Sequence, residues 1–319
     1  MSDTAESLRR KINSAGDLRS VVRTMKTLAA SSIGQYENSV RALADYNRAV
    51  ELGLGVCIRE SHPTSPMAES EEQEARAETG DIGAVVFGSD QGLVGQFNDV
   101  VADYAIKTLT DLPGERKVWA VGERVQARLA DAGLPLTGLL AVPNSVMGIT
   151  PLVGQIQVEC EAHRGSGEYA GFYVFHNRPR QGTLYEPVSQ RLLPLDEGWL
   201  RRLTNVRWPT RNVPEVIRGG TATLRILVRE YLFISLFRAC AESLASENAS
   251  RLAAMGRAEK NIDELLEEFN STFHRLRQSG IDAELFDVIA GFEALVGSKP
   301  DQTRAPKGSV TGYVRNEEK

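Results

Sequence analysis

The 319-residue sequence predicts an α/β protein: an antiparallel coiled coil of long N- and C-terminal helices, with an α/β domain between them. Two proline-free runs, 5–59 and 221–296, carry apolar or small residues at alternating four- and three-residue spacing. That is the period of a helix packed along a narrow seam. Between the runs the period changes, and short apolar stretches alternate with amphipathic ones, as in sheets whose strands are joined by helices.

In the first run the seam reads Leu18, Val22, Met25, Ala29, Ser32 and Tyr36, then, after one slip, Val40, Leu43, Val50 and Leu54. Roughly 50 helical residues span about 75 Å. Gly16, Gly34 and Gly53 each cost about 1 kcal/mol relative to Ala, so neighbours must compensate. Residues 1–59 are therefore expected to be one helix. Residues 60–81 hold seven acidic residues against one Arg, with Pro and Gly, the composition of a linker.

Residues 82–214 are the expected α/β domain, and their order of elements is that of a Rossmann-like unit. "IGAVVFG" reads as a buried strand, followed by a Gly-rich turn and the helical pattern "NDVVADYAIKTLTDL". "KVWAV" and "GERVQARLADAG" repeat the strand–helix pair. "SVMGITPLVGQIQVECEAHRG" reads as a helix interrupted by Pro151, and "EYAGFYVFHN" and "LYEPVSQRLLPL" as a hairpin joined by "RPRQG".

Residues 215–296 are the expected C-terminal helix. Leu224, Val228, Tyr231, Leu232 and Leu236 are bulky. Ile262, Leu266, Phe269, Phe273 and Leu276 resume the seam, and after a shift of five it continues at Ile281, Leu285, Val288, Phe292 and Leu295. The shift near Gly280 turns the stripe around the helix, so its two parts need not face one partner. Between them lies "LASENASRLAAMGRAEKN", dense in helix formers but poor in bulky apolar residues. Residues 297–319 have the polar composition of a disordered tail.

Chemistry is sparse. The net charge of −5 gives no basic footprint for nucleic acid, although residues 197–229 hold seven Arg against two Glu. Such a patch is ordinarily only a solvated surface. Cys57, Cys160 and Cys240 have no metal or redox spacing and read as buried thiols of a reducing compartment. No run is long and apolar enough for a signal core or membrane span, so no direct membrane insertion is expected.

The only glycine-rich turn after a strand, "GSDQGLVGQFN", departs from GxGxxG, and no Walker motif is present. A tight turn and close helix packing explain Gly88, Gly92 and Gly95 better than phosphate binding. His62, His163, His176 and His274 lack metal spacing, and the run Asp263, Glu264, Glu267 and Glu268 reads as a solvated helix face. The residues thus predict no catalytic site, no cofactor and no metal. Two other readings stay open at this point: a nucleotide-binding α/β enzyme with helical extensions, and a static coiled-coil scaffold.

Three stretches resemble the γ subunit of F-type ATP synthases. "LRRKINSAGDLRSVVRTMKTLAAS" is similar to that family's "KI…T.AM.MVAAS" helix, and "GSDQGLVGQFN" to its "SDRGLCGGLN" turn. "LASENASRLAAMGRAEKNIDELLEEFNSTFHRLRQSGIDAELFDVIAGFEAL" resembles the family's long C-terminal signature. The hairpin "FHNRPRQGTLYEPVSQRLLPL" fits as well, so the likeness spans most of residues 5–296.

The resemblance implies a central rotor shaft turning inside an α3β3 ring, with no active site of its own. Its implied partners are the α and β subunits, an ε subunit and the membrane c-ring, and its implied place is peripheral, on the cytoplasmic side of a bacterial inner membrane. Carried over by position, Met25 and Arg251 face a β-subunit lever. Arg277 and Gln278 are the pair that bonds a β catch loop, with Asp282 and Glu284 on the next contact positions. The lean stretch would then be a smooth bearing. Departures at Ser32, Gln91, Gly256 and Asp282, and "NVPEVIRGG" before the last helix, point to a divergent branch, with the alternate bacterial F-type ATPases as a candidate.

Overall fold

A computed structural model describes residues 4–61, 80–162, 170–212, 214–216 and 220–297. Most of the acidic linker (62–79), His62, His163 and the tail beyond Gly297 lie outside the described residues, as does the side chain of Cys160. The chain forms two units, Leu18–Ile262 and Met1–Asp17 with Asp263–Lys319.

Helices α1 (Ala5–Ala42) and α2 (Ala44–Ser61) are separated by the single turn residue Leu43. The hydrogen bonds Leu43 N–H to Ser39 and Asn47 N–H to the Leu43 carbonyl carry the helical path across it. The domain follows as β1 (Ile82–Phe87), α3 (Phe97–Thr110), β2 (Arg116–Val121), α4 (Glu123–Asp131), β3 (Leu136–Leu140), α5 (Ile149–Ala162), β4 (Gly171–Arg180) and β5 (Thr183–Leu193). Helices α6 (Glu197–Asn205) and α7 (Gly220–Gly297) complete the chain.

The sheet order is β3-β2-β1-β4-β5, parallel through β4, with β5 antiparallel at one edge. Strand alternation divides its side chains. Ala84, Val86, Val118, Ala120 and Phe175 face a core shared with Val101, Ala105, Val125 and Leu129 of α3 and α4. Val85, Phe87, Trp119, Val121 and Val174 face the other way, into a core with Val153 and Ile156 of α5. Tyr36 of α1 and Leu236, Cys240, Ala241, Leu244 and Ala245 of α7 belong to that same core.

Several expectations need correction. Pro151 does not interrupt a helix; it is the third residue of α5, where no intrahelical partner awaits its missing N–H. The strand β3 and the short helix α6 are additions to the expected elements, and "RPRQG" is mostly strand, with only Gln181 and Gly182 in the turn. Leu18, placed on the seam, is 54% exposed. The lean stretch is open only in part: residues 244–248, Ser250 and Met255 are buried, whereas most of the remainder to 261 is half-buried or exposed.

In the second unit Leu8 is buried, and the Lys11 ammonium lies 5.8 Å from the Phe269 ring centroid. Leu266, Phe269, Phe273 and Leu276 are half-buried at their four-three spacing, whereas every residue of α7 from 277 to 294 is exposed.

Candidate partner-contact surface and its seat

The seat is the buried middle of α7. Ala239, Ala241 and Ala245 allow sheet and helix backbones to approach, and the polar residues among them are mostly bonded. Ser250 Oγ donates to the Val94 carbonyl, Ser246 Oγ to the Asn177 carbonyl at 3.0 Å, and Asn248 Nδ2 to the Leu244 carbonyl at 2.8 Å. Asn177 Nδ2 in turn donates to the Phe97 carbonyl. These bonds lie at the carboxyl ends of β1 and β4, the switch point of the strand order, where open α/β sheets receive ligands. Here α7 occupies that crevice.

The glycine-rich turn serves close packing on the other face of the sheet, against α4. A Cβ on Gly88 would meet the Val125 Cβ at 2.3 Å. Asp90 accepts the backbone N–H groups of Glu123 and Val142, tying the start of α4 to the end of β3.

Two buried carboxylates of α7 behave oppositely. Burial raises the Glu242 carboxyl, but bonds from His176 (2.9 Å) and Arg238 (2.7 Å) outweigh it and hold the group below its ordinary value. Burial also dominates at Glu247 and there it wins: the carboxyl is raised despite the 2.6 Å bond from Arg251, and its Oε2 has no hydrogen bond.

Alongside α7 runs α1. Glu259 takes Arg23 at 3.1 Å and Lys26 at 2.9 Å, and Tyr46 Oη donates to Glu230 at 2.6 Å. A Cβ on Gly53 would lie 3.1 Å from Leu227. Partner numbers rise on α1–α2 as they fall on α7, so this pair is antiparallel.

Of the residues carried over from the resemblance, Arg277, Gln278, Asp282 and Glu284 share about two exposed turns of α7. Met25 is half-buried on α1, beside Lys26. Arg251 is engaged within the chain, its side chain 14% exposed and bonded to Glu247. Sequence reasoning missed Phe286 and Ile289, which join Ile281, Leu285, Val288 and Phe292 as exposed apolar residues. It also missed Glu259 and the pair Ser246 and Ser250, whose i, i+4 spacing among alanines was a readable signal.

These features define a class of protein in which two terminal helices are braced by a small parallel-sheet domain. The ATP synthase family model matches residues 4–295, and the chain belongs to the ATP synthase γ-chain family. It is similar to the ATP synthase γ chain of Dechloromonas aromatica, 23% identical over 92% of this chain and 99% of the relative. It is also similar to that of Nocardioides sp., 27% identical over 91% and 96%. In fold it resembles a chain of the Euglena gracilis mitochondrial ATP synthase, with TM-score 0.63, 16% identity and coverage of 94% and 98%. A chain of the Tetrahymena thermophila central stalk and c-ring matches with TM-score 0.51 at 18% identity, over 75% and 99%.

Proposed function

We propose that this chain is the central rotor shaft of an F-type ATP synthase, coupling rotation of a membrane c-ring to nucleotide-site conformations in an α3β3 ring. The observation that carries the reading is the family match from residue 4 to 295, which takes in both terminal helices. Its partners on this reading are the α and β subunits, an ε subunit and the c-ring. Among the described residues no helix is long and apolar enough to cross a membrane, which suits a peripheral subunit. We place it on the cytoplasmic side of a bacterial inner membrane, with the chemistry left to the partner subunits.

Coupling requires contacts that differ between states. Arg277 and Gln278 suit such contacts, because Arg offers a planar donor fork for carboxylates and Gln both donates and accepts. Met25, Arg251, Asp282 and Glu284 are the further proposed β-subunit contacts. Since Arg251 is already held by Glu247, its part would be to position that stretch of α7.

The test is ATP hydrolysis by the assembled complex. Arg277→Ala with Gln278→Ala leaves the helix intact, because Ala is the best helix former. Each charge-assisted bond lost is worth about 1.5–3 kcal/mol, so turnover is expected to change about tenfold or more. A fully assembled double mutant turning over at the wild-type rate would remove these residues from the catch. Failure of the wild-type chain to co-purify with α and β subunits would remove the rotor reading itself.

A further inference from the structure

Beyond the clasped middle of α7, the two long helices meet on a lean seam. Val22 and Ala29 are buried on α1, as are Met255 and Ile262 on α7. Ala253 and Ala254 are only half-buried, and a Cβ on Gly256 would have nothing within 4 Å. Alanine and glycine offer no ridge to interlock, and methionine reshapes itself to whatever faces it. Apolar packing here joins the helices without fixing how α1 is rolled about its own axis.

Glu259 supplies what that seam lacks. Its Oε1 accepts the Arg23 Nε–H at 3.1 Å, and its Oε2 accepts from Lys26 Nζ at 2.9 Å. Arg23 and Lys26 are three positions apart and so neighbours on one face of α1. The bonds from Lys26 and then Arg23 draw the Glu259 carboxyl below its ordinary value. Its side chain is 15% exposed against 62% for Arg23 and 42% for Lys26, so the acceptor is recessed and the cations reach in to it. One planar group that holds two cations from successive turns resists rolling, because a rolled or shifted α1 cannot keep both bonds. A single ion pair would follow the movement. Met25 directly precedes Lys26, about 100° around the helix from it.

We propose that Glu259 is a positioning residue: by holding Arg23 and Lys26 together it fixes the roll of α1, and with it the direction that Met25 faces. The clamp stands on its own bonds, while its use rests on the proposed role of Met25 as a β-subunit contact. Exposed ion pairs add little to stability, so the value of this one lies in register, a task polar groups perform in helical seams. A partner pressing on Met25 then meets a side chain that cannot roll aside. The push passes to both helices together instead of turning α1 alone. Tyr46 and Glu230, the other cross-helix bond described above, lie about 30 Å further along α1, too far to hold the roll at Met25.

The clamp is tested on the full chain, with nitroxide labels at exposed Leu28 and Arg257 and the distance between them read by double electron–electron resonance. The otherwise unchanged chain is expected to give one narrow distance, and Glu259→Gln a broadened distribution. Glu259→Arg combined with Arg23→Glu and Lys26→Glu reverses every charge of the clamp and should restore the narrow one. Its use is tested by ATP hydrolysis in the assembled complex. There Glu259→Gln should lower kcat about threefold, the scale that exposed pairs allow, and leave KM unchanged. In a Met25→Ala background the same substitution should lower kcat no further, because a residue acting through another is not additive with it. A distribution as narrow in Glu259→Gln as in the unchanged chain overturns the proposal, and so do additive effects of Glu259→Gln and Met25→Ala. Met25→Ala at the wild-type kcat, with the Glu259→Gln distribution broadened, would instead strike the reading of Met25 and the use of the clamp, leaving the clamp itself in place.

Discussion

Two stretches of the same helix, residues 239–250 and 277–294, solve opposite problems. The first is surrounded by its own chain, and it is built from Ala, Ser and polar residues whose bonds run to the sheet and turns. The second carries Phe286, 68% exposed, and Phe292, 67% exposed, on a surface its own chain leaves bare. Small side chains thus mark where a partner lies within the molecule. Bulky apolar ones mark where a partner must be brought, because exposed apolar area on this scale signals an interaction site.

Ala245, buried in the first stretch, is the position where added bulk should be felt most. Ala245→Leu forces three extra carbons between helix and sheet and should cost about 1–3 kcal/mol in a urea melt of the full chain. A variant as stable as wild type would mean the seat is loosely packed. Ser250→Ala is expected to cost about 1 kcal/mol in the same melt, the net worth of its bond to the Val94 carbonyl.

A smaller effect reads the buried charge. The Glu247 carboxyl is raised in the fold, so its contribution to stability is fully present below its unfolded value, about pH 4.3, and is lost as pH rises through the folded value. Glu247→Gln removes that dependence, so the wild type should lose stability relative to the variant as pH rises, seen in paired melts. A difference that stays flat or runs the other way contradicts the burial argument. Least of all should Leu285→Ser with Phe292→Ser disturb the isolated chain, by no more than about 0.5 kcal/mol, since neither residue is buried. The same pair should weaken assembly with α and β subunits on a sizing column, which is where the two stretches part company.

Much of this is legible in the sequence. The four-three pattern locates α1, α2 and α7, and strand–helix alternation locates the parallel sheet, because periodicity reports the buried face directly. β3 escapes because "LTGLL" is short, only partly buried and interrupted by Gly138. α6 escapes because its nine residues lie in an arginine-rich run where charge masks the inward face of Trp199 and Leu203. The lean stretch reads by composition as smooth and open. Ala and Ser suit an exposed bearing and a tightly clasped helix alike, and only tertiary packing separates the two. Of the proposed contact residues, exposure at 277–284 agrees with the pattern, whereas the engagement of Arg251 by Glu247 depends on a buried carboxylate that spacing does not reveal.

The hydroxyls that α7 lays across the strand ends also set a timetable for biosynthesis. Ser250 reaches Val94 across 156 positions of sequence. While the ribosome is still short of that point, Val85, Phe87, Trp119 and Val174 have no α7 to cover them. A nascent sheet waiting so long for its lid is slow to complete and open to association with other chains. Chaperone engagement during translation should therefore be strongest after β5 emerges and fall away once residue 250 has cleared the exit tunnel.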